Sequence, residues 1–339
     1  MKRKFTIALR LGISLTLLTL LFREHDFSTQ IAPRLSALLE NWIWVICGLF
    51  SAFMSLMACA TRWHVILRGC APQLPWRALA RTEIVAAFFN ISSIGVIGGD
   101  AYKIMSITRR LQGQAPQVGV SLMLDHVAGF VAVGLLFFSC LAAIWPRWEA
   151  LGHDAKLLLT GFSGFMGVSF IGMIISWITL KPKVLAWGKQ TFPRILGTAF
   201  FDRISSTLTT MHDVILALWR RALCSILISI AVYGFLFFTF YCALQAVGAH
   251  APLLDVMTAM PVVDASATLP ISLSGIGIRE KTFEALLSSF AGVPESACVS
   301  AAFVGWLFTI FWGLIGGGMF LKSDGRPALA RLSEPTTTL

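Results

Sequence analysis

Long apolar runs recur along this chain and decide the solvent in which it folds. Phe5–Phe22, Asn41–Thr61, Val118–Ile144, Leu157–Leu180, Ala222–Val247 and Ala297–Leu321 each come near the length a helix needs to cross a hydrocarbon core, about 20 residues. Lipid offers no partner for backbone N–H and C=O groups, so each run must bond internally as a helix. Charged residues make up only 13% of the chain, against roughly 25% in a soluble domain. The fold class is therefore an all-α polytopic membrane protein.

Lys and Arg number 27 and Asp and Glu 17, a net charge of +10. In a soluble protein that excess could suggest nucleic acid; here the positive-inside rule accounts for it, and no nucleic-acid partner is expected. Placing both termini in the cytoplasm leaves only Arg23, Arg34, Arg147, Lys156, Arg279 and Lys281 outside, with Arg10 inside the first span. The segment Arg62–Arg81 then reads as a cytoplasmic loop with Trp63 just past the second span, and Lys181–Arg221 as the main cytoplasmic segment. Within the latter, Ile204, Leu208, Met211, Ile215 and Leu218 form one apolar helical face, which suits an interfacial helix or a helix packed on the bundle. MKRKF and the run after it resemble a signal peptide, but no small-residue cleavage site closes the run, so an uncleaved span is expected. The chain reads as one integral membrane domain over 1–322, with a short cytoplasmic tail at 323–339.

Two further apolar stretches are interrupted. In Phe88–Arg110, FFNISSIGVIGGDAYKIMSITRR, Asn90, Ser92, Ser93 and Gly95 break the run before Gly98-Gly99, Asp100 and Lys103. In Met260–Lys281, MPVVDASATLPISLSGIGIREK, Pro270, Gly275 and Gly277 do the same, with Arg279-Glu280 following. Basic residues flank the first stretch on both sides, which fits a re-entrant segment better than a crossing one. Charge placement puts the second stretch on the opposite face. About six full spans with two oppositely oriented re-entrant segments point to an inverted-repeat, transporter-like bundle with a site between them.

The candidate site residues lie at these interruptions. Asp100 and Lys103 are three apart on a helix and share a face. Gly98 and Gly99 let backbone approach a ligand, and a helix starting near Gly99 would offer N–H groups to a phosphate. An ordinary Asp N-cap is the alternative. Ser272 and Ser274 supply hydroxyls, Arg279 suits bidentate phosphate binding, and Glu280 adjoins it; a charged lip at the outer interface is the alternative. Asp125-His126 opens a span as a headgroup or proton group, or as an interfacial pair bonded to nearby backbone. Asp264 sits in an apolar run and is expected to face a cavity or partner. No HExxH, GxSxG or Walker loop is present, and Gly316-Gly317-Gly318 suits close helix packing. The seven cysteines form no CxxC pair and read as buried thiols. No metal, cofactor or catalytic residue is expected.

FFNISSIGVIGGDAYK, SLMLDHVAG and PISLSGIGIRE followed by the last span resemble the transmembrane region of lysylphosphatidylglycerol synthetases and the flippase-like membrane proteins that share it. The resemblance runs from about Glu83 to Leu321. Family members often carry Arg at the positions of Lys103 and His126, and Pro at that of Leu273. The resemblance implies binding or translocation of a phospholipid or isoprenoid-type lipid across a bacterial inner membrane, with a cavity between the interrupted segments open to the bilayer. It also makes a non-transporting scaffold or lipid-binding subunit, for example in hopanoid synthesis, the competing reading. Only eighteen residues follow Leu321, so aminoacyl transfer is not expected. The expected partner is a membrane lipid; a lipid-biosynthesis enzyme and a second copy of the chain are further candidates.

Overall fold

The computed structural model describes residues 32–69, 71–92, 96–111, 115–179, 198–269 and 275–323. The first predicted span, the basic stretch 181–197, Ser272, Ser274 and the tail beyond 323 lie outside them. Ten α-helices appear among the described residues: α1 (Ala32–Glu40), α2 (Trp42–Leu67), α3 (Trp76–Ser92), α4 (Val96–Arg110), α5 (Ala115–Ile144), α6 (His153–Thr179), α7 (Thr198–Ala246), α8 (Leu253–Thr268), α9 (Ile278–Ala291) and α10 (Glu295–Ser323). A 3₁₀ turn, Trp145–Ala150, extends α5. Five helical stretches are long and apolar enough to cross a bilayer: Trp42–Leu67, Gln117–Ala150, His153–Ser176, Leu223–Ala246 and Glu295–Lys322. The protein is an all-α, multi-pass membrane protein.

The antiparallel pair α2 and α7 forms the most extensive contact. Small hydroxyl and amide side chains join their backbones along its length. Asn41 Nδ2 donates to Ala246 O (3.3 Å), Ser51 Oγ to Phe235 O (2.7 Å), Ser55 Oγ to Val232 O (3.0 Å) and Ser225 Oγ to Arg62 O (3.4 Å). Small residues let two helices approach, and in lipid their hydroxyls need such partners.

Four of the helices too short to span form two hairpins, α3 with α4 and α8 with α9. With 17, 15, 16 and 14 residues, α3, α4, α8 and α9 rise only about 21–26 Å, short of a core of about 30 Å. At the base of the first hairpin, Trp76 Nε1 donates to Thr61 Oγ1 (3.0 Å), and Leu111 clusters with Trp63 and Leu67 at the end of α2. At the base of the second, Asp255 pairs with Arg147 beyond α5, and Ser289 Oγ accepts from the Gly152 amide (2.7 Å). The hairpins thus enter from opposite ends of the bundle, as the charge placement predicts.

The two halves repeat this plan in the same order and opposite orientation: α2–α3–α4–α5, then α7–α8–α9–α10. In each, the first hairpin helix packs on its own long helix and on the closing helix of the other half, α3 on α10 and α8 on α5. A Cβ at Gly316 would lie 2.0 Å from Ile84 O, so α3 and α10 touch backbone to backbone there. Tyr102 locks α4 to this seam, stacking on Phe89 (5.0 Å) with Phe320 edge-on to both. Gly316 and Gly317 therefore act in helix packing, while the Cβ position of Gly318 is open.

Two local expectations need correction. α2 does not stop at Thr61: its apolar pattern runs through Trp63, Ile66 and Leu67, all buried, and Arg62 is only 5% exposed. Nor is 204–218 a separate interfacial helix, because α7 is continuous for 49 residues from Thr198 into the span. No Pro or Gly pair breaks the chain between Thr198 and Ala246 to end a helix.

Candidate functional site

The first hairpin brings a network of four charges into the bundle. Arg62 Nε and Nη2 donate to the two Asp125 carboxylate oxygens at 2.7 and 2.6 Å, the bidentate geometry that suits guanidinium and carboxylate. Arg62 Nη1 also reaches Ser229 Oγ on α7 (3.3 Å), so one side chain ties α2, α5 and α7 together. A Cβ at Gly129 would lie 2.8 Å from Arg62 Nη1 and 3.1 Å from Tyr233 Oη, which is why a glycine stands one turn beyond Asp125. Beside this pair, Lys103 Nζ on α4 donates to Glu83 Oε2 on α3 at 2.8 Å, with its ammonium 5.8 Å from the Trp63 ring centroid. Glu83 is 4% exposed and Lys103 8%. The charges of Lys103, Asp125 and Arg62 all act on Glu83, and Cys59 feels all four.

A single charge in a helix at the bilayer centre costs about 2.5–3.5 kcal/mol, so such groups survive only as pairs. Both pairs here are closed. One oxygen is left over: Glu83 Oε1 is buried and finds no hydrogen-bond partner among the described residues.

Asp100 and Lys103 separate. On a helix of 3.6 residues per turn, three residues leave them about 60° apart, enough for Lys103 to reach inward while Asp100 turns to the rim. Asp100 Oδ2 meets His126 Nε2 at 2.8 Å, with the side chains 24% and 46% exposed. Asp125 and His126 likewise part: the acid turns inward to Arg62 and the imidazole outward to Asp100. The helix carrying Gly98 and Gly99 begins at Val96, and the Gly99 amide donates to Asn90 Oδ1 (3.0 Å), closing the hairpin rather than facing a ligand.

The second hairpin carries the other candidates. Gly277 caps α9 with φ 86°, a left-handed backbone conformation that glycine adopts without a Cβ penalty. Its amide donates to Glu280 Oε2 at 2.6 Å. Glu280 is 2% exposed, and its Oε1 is buried without a hydrogen-bond partner among the described residues. It therefore lies inside the bundle, not on an outer lip. Arg279 sits in the fields of Asp264 and Glu280. Tyr233, on α7, feels Arg62 and Asp125 from one hairpin's side and Asp264 from the other's.

Two functional-looking side chains escape the sequence reading. Glu83 stands at the start of an apolar run and Arg62 at the apparent end of a span. The signal for both is charge balance: Asp125 and Lys103 lie in apolar helices and each needs a counter-ion. Among the described residues no group of three or more His, Cys, Asp or Glu side chains is placed to hold a metal. A cavity of about 580 Å³ opens at the base of the second hairpin, lined by His153, Asp154, Lys281, Glu284, Ser288 and Glu295. It is distinct from the expected cavity between the hairpin tips.

The family described as the lysylphosphatidylglycerol synthase TM region matches residues 7–317. The chain belongs to this family. Its match takes in both hairpins, four of the five described spans and most of the fifth, Glu295–Lys322. A similar protein is the UPF0104 membrane protein PH1989 of Pyrococcus horikoshii, 22% identical over 336 residues, covering 92% of this chain and 95% of that one.

Proposed function

We propose that this member of the lysylphosphatidylglycerol synthase TM region family is a lipid flippase. It would hold the charged headgroup of a phospholipid or isoprenoid-type lipid between the hairpins while the tails stay in the bilayer. The observation that carries this reading is the pair of hairpins entering from opposite ends, each bringing a cation and carboxylates inside: Lys103 with Glu83, and Arg279 with Asp264 and Glu280. A passive anchor has no need of buried charges, and opposed interrupted helices in two inverted halves are the plan of alternating-access carriers. Asp100 and His126 form the rim of the headgroup site, and Ser272 and Ser274 are proposed as its hydroxyl donors. Asp125 acts through Arg62 as a positioning residue. The protein acts without chemistry on the lipid, in a bacterial inner membrane with both termini in the cytoplasm.

The test is translocation by the purified protein in vesicles carrying fluorescent phosphatidylglycerol or polyprenyl phosphate. Dithionite bleaching of the label should reach the inner-leaflet pool when the protein is present. Bleaching confined to the outer leaflet for both lipids, with lipid bound tightly, would assign the non-transporting scaffold role instead.

A further inference from the structure

We propose that Glu83 is a proton-binding site, taking up one proton when an anionic lipid headgroup pairs with Lys103. This rests on the flippase reading, because it gives that reading its energy source. Glu83 Oε2 sits on the Lys103 ammonium at 2.8 Å, so a phosphate oxygen pairing with that cation competes with the carboxylate for it. The other oxygen, Oε1, is buried and has no hydrogen-bond partner among the described residues. The carboxylate is thus held by one contact and is the resident anion of the site.

The groups facing it settle what must follow when a second anion arrives. From α4 comes Lys103, from α2 Arg62 and Cys59, and from α5 Asp125. Arg62 is committed bidentately to Asp125. On the far side of α3, α10 presents Gly313, Gly316 and Gly317. A phosphate that pairs with Lys103 therefore leaves Glu83 as an uncompensated buried charge. Burial and loss of a counter-ion both favour the neutral acid. Uptake of one proton restores the balance: one negative headgroup and one positive proton enter together, and the network keeps the net charge it had when empty. On release the proton and the headgroup leave together and Glu83 returns to Lys103. The protein is then an electroneutral symporter of protons and anionic lipid, and a pH gradient drives the lipid from the acidic leaflet to the alkaline one.

Two measurements test this. With a pH-indicator dye in weak buffer, detergent-solubilised protein titrated with short-chain phosphatidylglycerol should take up about one proton per lipid bound. Glu83→Gln should bind without uptake, and Glu83→Asp should retain it. In vesicles, each unit of pH gradient should shift the steady-state leaflet ratio of labelled phosphatidylglycerol about tenfold toward the alkaline side, and Glu83→Gln should abolish that response. Binding of phosphatidylglycerol with no proton uptake by the wild type overturns the proposal, as does an unchanged response in Glu83→Gln. Proton uptake on binding with no flipping of any lipid upholds the proton site and instead sinks the flippase reading.

Discussion

Replacing Arg62 by Ala is expected to lower the stability of the protein by about 3–5 kcal/mol, because it strands a buried carboxylate. Asp125 is 1% exposed and takes both of its strong hydrogen bonds from Arg62. A loss of that size is a large share of the roughly 5–15 kcal/mol that holds a folded domain together. Arg62 also joins three helices through Asp125 and Ser229, so the loss should be global. The double variant Arg62→Met with Asp125→Leu should recover most of the stability, since apolar replacement of a whole buried pair is often neutral. By contrast, Asp100→Asn breaks a rim pair worth under about 1 kcal/mol. Thermal unfolding in mild detergent, followed by loss of the monodisperse elution peak, ranks the three. A melting point for Arg62→Ala equal to that of the wild type would show that the pair contributes nothing to the fold.

The second large effect concerns transport. Each cation of the proposed site contributes a charged hydrogen bond to the headgroup, worth about 1.5–3 kcal/mol, so each loss should slow flipping roughly ten- to hundredfold. Arg279→Met tests the second hairpin directly, and Arg279→Lys should recover only part of the rate because a point charge cannot bind two phosphate oxygens at once. At the first hairpin, Lys103→Met alone would strand Glu83, 4% exposed, and confuse binding with folding. The combination Lys103→Met with Glu83→Gln removes both charges and keeps the volume. Together with Arg279→Met it should bring flipping to the protein-free background at normal expression and elution. Unimpaired flipping by that triple variant would remove both hairpins from the headgroup site.

The membrane class, five described spans and both interrupted segments are legible in the sequence because they depend on local composition. Hydrophobic length gives spans, and Pro, Gly and Ser within an apolar run give hairpins. Charge asymmetry even gives the opposed directions of the hairpins. Pairing is not legible in the same way. Arg62 and Glu83 border apolar runs, where a snorkelling residue and a buried ion-pair partner look alike. Their partners Asp125 and Lys103 lie 63 and 20 positions downstream. Asp100 and Lys103 look like one unit because they are near in sequence, yet the bundle sends them to different partners. Asp125-His126 divides for the same reason: adjacent residues on a helix point about 100° apart. The long α7 is hidden because its first half is polar enough to read as cytoplasmic, and backbone hydrogen bonding continues regardless.

The central claim, that the two hairpins share a lipid headgroup, is tested most directly by photo-cross-linking in the membrane. Phosphatidylglycerol with a photoactivatable group on its headgroup, reconstituted with the wild-type protein and mapped by mass spectrometry, should label peptides covering both Val96–Arg110 and Ile278–Ala291. Unlabelled phosphatidylglycerol should compete at both. Labelling confined to the exposed apolar face of α6 around Phe165, Val168 and Ile171, with neither hairpin modified, would contradict it.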